Sequence, residues 1–143
     1  MKDLLAILEE GRHRERSQAL FYRFLAGDAE TEGDPSAAER LNELLADEQH
    51  HVSRLTARVL ELGEKPADTE VAAPVIPSLD GWEDVARQRE EDEVRWYTEV
   101  LQRVEDPATR SILKEILRSE RHHKDELAGK WMSASATDPE GEA

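Results

Sequence analysis

At 143 residues, 38% hydrophobic and 36% charged, with only 7 Gly and 6 Pro, the chain has room for one domain with a real core and favours a helical bundle with a charged exterior over a sheet protein. It has no cysteine and a net charge of −14, which excludes disulfides, thiolate-held metals and iron–sulfur or rubredoxin-type centres, and argues against nucleic acid as a partner. No run of 18 apolar residues exists to span a membrane, and Met1-Lys2-Asp3-Leu4-Leu5 lacks the apolar core and cleavage site of a secretion signal. A soluble, cytoplasmic protein is expected.

The first helix is expected from Asp3 to Ala26, with Gly27 as its stop. Leu4, Leu8, Gly11, Gln18, Tyr22 and Leu25 share a face with Glu15 at helical spacing. Asp28 to Asp34 reads as a polar turn. Asp34 is then a candidate N-cap, Pro35 suits the first helical position, and Ser36-x-x-Glu39 is a possible capping box. The stripe of this second helix is Leu41, Leu44, Leu45, Val52, Leu55, Val59 and Leu62, with Glu48 and His51 inside it and Gly63 as the C-terminal cap. From Glu64 to Leu79 the helical pattern breaks at Pro66, Pro74 and Pro77. At about 3.3 Å per residue, such an extended segment could run the length of a helix. Asp80-x-x-Glu83 opens a third helix lined by Trp82, Ala86, Glu90, Val94, Tyr97, Leu101 and Val104. Asp106-Pro107 opens a fourth, with Ile112, Leu113, Ile116, Leu117, Glu120, His123, Leu127 and Trp131 on one stripe. Residues 133–143 form a small, polar, acidic tail expected to be flexible.

Two short connections flanking one long one describe two helical hairpins joined by a crossover. The expected fold is therefore all-α, a four-helix bundle of the ferritin-like kind, over residues 1–132. A plain up-down bundle has no need of sixteen residues in its middle link.

The chain also repeats itself. Glu15-x6-Tyr22 recurs as Glu90-x6-Tyr97, displaced by 75 positions, and Glu48-x-x-His51 recurs as Glu120-x-x-His123, displaced by 72. Three residues along a helix is nearly one turn, so each Glu and His project from one face. Around a pseudo-twofold axis, the halves bring four carboxylates and two imidazoles to one point. That set suits two iron or manganese ions, two carboxylates bridging while each ion keeps one His and one terminal Glu. Zinc takes fewer ligands and does no redox work. A lone Glu-x-x-His on a charged helix is ordinarily surface decoration. Here both copies point into apolar stripes, where unpaired charge is very costly.

Tyr22 and Tyr97 lie a turn or two from candidate ligands, where each hydroxyl could hydrogen-bond a carboxylate. Glu93, one turn after Glu90, could face the metals as a seventh ligand or belong to the solvated run Glu90-Glu91-Asp92-Glu93. His50 and His122 point about 100° away from the ligand histidines, toward helix flanks. His13 reads as surface.

On Glu15-Arg16-Ser17-Gln18-Ala19-Leu20-Phe21-Tyr22, both Glu-x-x-His motifs and Glu90-x-x-Glu93, the chain resembles the rubrerythrin-like branch of the ferritin superfamily over about residues 3–132. The resemblance implies Glu15, Glu48, His51, Glu90, Glu120 and His123 as metal ligands, with Glu93 matching the family's extra helix-three carboxylate. It implies a di-iron site that reduces hydrogen peroxide in oxidative-stress defence. Lacking the Cys-rich rubredoxin module, the chain would take electrons from a separate donor protein. Bacterioferritins are similar in ligand pattern, but the Met that holds haem there is absent, since Gln49 follows Glu48 and the only methionines are Met1 and Met132. No haem is expected.

The leading expectation is thus a non-haem di-iron peroxidase or oxidase. The alternative is iron binding or storage by ferroxidase turnover, and a third reading is a helical partner protein with a structural metal. Under all three a homodimer is expected, with Phe21, Phe24, Trp82 and Trp96 including aromatics that could serve an interface.

Overall fold

A computed structural model describes residues 2–130. Four helices follow in order: α1 (Lys2–Thr31), α2 (Pro35–Glu61), α3 (Trp82–Leu101) and α4 (Pro107–Asp125), the last passing into a π-helical turn, Glu126–Lys130. α1 packs along α2 and α3 along α4, so two hairpins face each other in a four-helix bundle. The expected place of Trp131 on the α4 stripe and the tail 133–143 lie outside the described residues. Among the described residues no helix is long and apolar enough to cross a membrane.

The helix ends follow local chemistry where a side chain caps them. Asp34 accepts from the Ala37 N–H at 3.2 Å with Pro35 at the first helical position. Ser36 and Glu39 lie inside α2, so the Ser36-x-x-Glu39 capping box does not form there. Gly63 closes α2 at φ +81°, its N–H bonding Leu60 O (2.9 Å) while the Glu64 N–H reaches Val59 O (3.2 Å), the two bonds of a Schellman turn. Asp106 caps α4, accepting from the Thr109 N–H at 3.0 Å and hydroxyl at 2.7 Å. Arg58 of α2 donates to the same Asp106 Oδ2 at 2.9 Å, tying the two hairpins at that end.

Three boundaries depart from the sequence expectation. α1 does not stop at Gly27. Ala26 and Ala29 on the next turn are both buried, and that burial outweighs the roughly 1 kcal/mol cost of a mid-helix glycine. The connection shrinks to residues 32–34. Asp80 does not cap α3; Gly81, left-handed at φ +81°, precedes the helix with no side-chain cap. Val104 lies beyond the end of α3, buried in the connection to α4.

The long link runs without helix or strand from 64 to 78 along α1. The Ala67 N–H donates to Glu9 (3.0 Å), Arg12 donates to Ala67 O (3.1 Å), and Arg16 donates to Thr69 O (2.6 Å). Ile76 and Leu79 then pack onto the core beside Trp82, while Val75 stays exposed.

The core is split into two apolar clusters. One gathers Leu8, Leu55, Val59, Val100, Leu113 and Ile116; the other gathers Phe21, Leu25, Leu41, Leu44, Trp82 and Leu127. Phe21 and Trp82 are therefore core residues, not interface aromatics; Phe24 alone of the four is exposed, and Trp96 is partly buried. Between the clusters every helix carries its polar residues, which form a belt across the middle of the bundle.

Candidate metal centre

That belt is buried. Glu15, Glu48, Glu90 and Glu120 are each 0% exposed, and His51 and His123 are 4% and 1% exposed. Their placement follows from helical periodicity. Glu15 lies on the face of α1 that buries Leu8 and Tyr22, and Glu48 and His51 lie between Leu44 and Leu55 on α2. Glu90 lies between Ala86 and Tyr97 on α3, and Glu120 and His123 between Leu117 and Leu127 on α4.

Two groups of four donor atoms result, each within a 4.8 Å sphere of mutual distance. The first is Glu15, Glu48, His51 and Glu120; the second is Glu48, Glu90, Glu120 and His123. Glu48 and Glu120 belong to both. Each hairpin thus provides three donors to its own group and lends one carboxylate to the other. Both histidines turn Nδ1 inward: His51 Nδ1 is 3.0 Å from Glu15 and 3.2 Å from Glu48, and His123 Nδ1 is 3.1 Å from Glu120 and 3.6 Å from Glu48 and Glu90. The two imidazole centroids are 6.4 Å apart.

The residues fit cations at this place. Glu48 Oε2, Glu90 Oε1 and Glu120 Oε2 are buried without a hydrogen-bond partner, and an unpartnered buried carboxylate oxygen is costly. Without metal, protons balance the charge. Burial disfavours charge on His51, but hydrogen bonds to Glu15 and Glu48 outweigh it and lift the imidazole to about 10. His123, hydrogen-bonded to Asp47 and Glu120 and close to the carboxylates of Glu48 and Glu90, is raised in the same way against its own burial. Burial, with the charges of Glu15 and Glu90, raises Glu48 well above the ordinary carboxylate range, and Glu120 rises for like reasons. Burial also opposes the Glu15 charge, yet the His51 hydrogen bond prevails and takes that carboxyl down to about 2.

A ring of hydrogen bonds holds the donors from outside. Tyr22 donates to Glu90 Oε2 at 2.6 Å and Tyr97 to Glu15 Oε2 at 2.7 Å, each crossing to the opposite hairpin. Gln18 donates to Glu90 at 3.3 Å, and Arg89 in turn donates to Gln18 and Ser17. His123 Nε2 meets Asp47 Oδ2 at 2.9 Å, which fixes the ring with Nδ1 inward. Asp47 escapes a reading of the sequence because its partner is 76 residues away. Its signal is its position one residue before Glu48, which turns it sideways toward α4.

Glu93 lies beside the two groups and in neither. Its Oε2 accepts from Arg14 at 3.3 Å and its Oε1 is buried with no partner. Burial first, then the charge of Glu15, pushes its carboxyl up to about 8. His13, His50 and His122 are exposed, and His122 pairs with Glu126 on its own helix at 3.2 Å.

The two carboxylate–histidine groups fit a site for two metal ions. Among solved structures, the bacterioferritin BfrA of Mycobacterium tuberculosis superposes with a TM-score of 0.85 over 95% of this chain and 88% of its own. At 19% identity that likeness speaks for the fold, a ferritin-like four-helix bundle. No curated protein sequence matches the chain. The family model for rubrerythrin matches residues 6–130. With nearly all of its helical part accounted for by that match, the chain belongs to the rubrerythrin family.

Proposed function

We propose that the chain is a non-haem di-iron protein of rubrerythrin type that reduces hydrogen peroxide or oxygen in oxidative-stress defence, acting in the cytoplasm with electrons from a separate donor protein. The observation that carries this reading is the pair of donor groups sharing Glu48 and Glu120. In it, Glu48 and Glu120 would serve both ions, with Glu15 and His51 holding one and Glu90 and His123 holding the other. Bound iron, or manganese in its place, would supply one-electron redox chemistry to a small oxidant.

The chain's own residues then hold, orient and protonate. Tyr97 and Tyr22 keep Glu15 and Glu90 from swinging by hydrogen bonds of 2.7 and 2.6 Å. Asp47 keeps His123 turned inward. The two apolar clusters above and below the belt exclude water. Glu93, raised to about 8, holds a proton at neutral pH on a carboxyl whose Oε1 has no other partner. It is placed to give that proton to a leaving oxygen, or to join the ligands once deprotonated.

Elemental analysis of protein purified without added metal tests the cofactor, with about two irons per chain expected. Stopped-flow oxidation of the ferrous protein by peroxide and by oxygen tests the reaction. If peroxide is no faster than oxygen, the peroxidase reading is abandoned. The fold it shares with a bacterioferritin favours ferroxidase turnover with iron storage as the second reading. Light scattering separates the two: a homodimer is expected here, whereas storage needs a large shell and many irons per chain.

A further inference from the structure

The two halves of the belt repeat each other beyond the donor groups, and the one place where they differ in redox chemistry is aromatic. Arg14, Glu15, Phe21 and Tyr22 on α1 answer to Arg89, Glu90, Trp96 and Tyr97 on α3, each displaced by 75 positions. Each tyrosine ring is met edge-on by the aromatic before it: Phe21 to Tyr22 at 5.3 Å and 71°, Trp96 to Tyr97 at 4.9 Å and 84°. A guanidinium covers each of those aromatics, Arg89 over Phe21 at 4.5 Å and Arg14 over Trp96 at 4.9 Å. Phe21 is fully buried, and a phenyl ring is hard to oxidise. Trp96 is partly exposed, and an indole gives up an electron far more readily than a phenyl.

We infer that Trp96 and Tyr97 form a one-sided electron relay between the Glu15 half of the site and the protein surface. It rests on the proposed peroxide chemistry, and serves turnovers in which one of the two metal electrons is missing. Hydrogen peroxide takes two electrons and two protons to become two waters. With one electron drawn from the bound metal pair and the protons from solvent, the second is drawn from Tyr97, whose phenolic proton passes to Glu15 Oε2 at 2.7 Å. The Trp96 indole then returns an electron to the Tyr97 ring, which recovers its proton from Glu15. The guanidinium over the indole disfavours a lasting ring cation, so the indole N–H proton leaves to water and a neutral radical remains at the surface. A one-electron reductant of the thiol or ascorbate class restores it. The Phe21–Tyr22 side has no such outlet.

The test uses the full chain loaded anaerobically with iron, partly oxidised, and mixed with peroxide. Trp96→Phe is the variant, because it copies the packing that Phe21 already provides in the other half. Freeze-quench electron paramagnetic resonance is expected to show a tyrosyl radical at least tenfold longer-lived in Trp96→Phe than in the parent. Peptide mass spectrometry is expected to find oxygenated Trp96 in the parent, with the buried Trp82 unmodified. If peroxide oxidises the metal while Trp96 stays intact and tyrosyl lifetimes are equal, the relay is wrong and the peroxide reading stands. If peroxide leaves the metal untouched, the peroxide reading fails, and flash photo-oxidation of the metal-free protein by a ruthenium tris-bipyridyl complex with persulfate decides the relay separately. A tyrosyl transient that decays as an indole radical grows in, and that persists in Trp96→Phe, supports it; equal transients in both proteins overturn it.

Discussion

Emptying the proposed site of metal means filling it with protons, and that exchange can be counted. His51 is pushed up to about 10 and His123 is raised as well, so both imidazoles are protonated at neutral pH in the metal-free protein. The nitrogen that must be bare to ligate, Nδ1, is the one facing the carboxylates. Loading two divalent ions therefore displaces at least two protons. Each displaced proton changes the apparent affinity tenfold per pH unit, so the overall affinity for the pair is expected to rise about a hundredfold per unit between roughly pH 7 and 9. Stability without metal runs the other way. The His51 contribution is fully present below its ordinary value of 6.5 and is lost as pH rises through about 10. Glu48 and Glu120, raised by burial and by neighbouring carboxylates, also penalise the fold as they ionise. The thermal midpoint of the metal-free protein should fall from pH 6.5 to 9 while the gain on adding metal grows. Calorimetric titration with cobalt(II) in two buffers of different ionisation heat, alongside thermal melts, reads both. Fewer than one proton released per two ions, or an affinity flat with pH, would refute the reasoning.

Three further outcomes follow from contacts described above. Asp47→Asn removes the charge that holds His123 Nε2 at 2.9 Å, and metal affinity should drop about 10–100-fold with circular dichroism unchanged. The loss should fall on one of the two ions, visible as two separated steps in the titration. Tyr97→Phe strips a buried donor from Glu15 Oε2 and should cost the metal-free protein about 1–3 kcal/mol in urea unfolding. Leu55→Ala opens a cavity in a fully buried cluster and should cost about 2–5 kcal/mol with an unchanged denaturant slope.

What could be read in the chain before its structure divides along physical lines. The donor groups were legible because ligation demands fixed residue types at fixed helical spacing, so Glu15, the two Glu-x-x-His pairs and Glu90 carry a pattern that chance seldom repeats. Helix starts were legible where a side chain makes the cap, at Asp34 and Asp106. Two boundaries were misplaced: the stop expected at Gly27, which α1 passes through as Ala29 is buried, and the start expected at Asp80, where the left-handed Gly81 precedes α3 instead. Phe21 was open to an interface role because it lies off the carboxylate stripe, yet a four-helix core reaches round each helix on both sides of its polar belt. Asp47, Arg14 and Arg89 stayed hidden for a different reason: each acts on a residue of the other hairpin, and charged residues on a charged helix carry no mark of that. The displacement of 75 held the clue for the two arginines, since each stands directly before a repeated glutamate.

The way the belt is shared between hairpins has a consequence for how the molecule comes together. Each group of four takes three donors from one hairpin and one from the other, and Tyr22, Tyr97, Arg14, Arg89 and Asp47 all reach across the same seam. Neither hairpin can finish its own half. The centre is, in effect, a subunit interface enclosed within one polypeptide, with the strap from 64 to 78 as the tether that keeps the partners at high effective concentration. An ion seated there would act as the last fastener of assembly, and backbone amides facing that seam should exchange their hydrogens according to how many ions the protein holds.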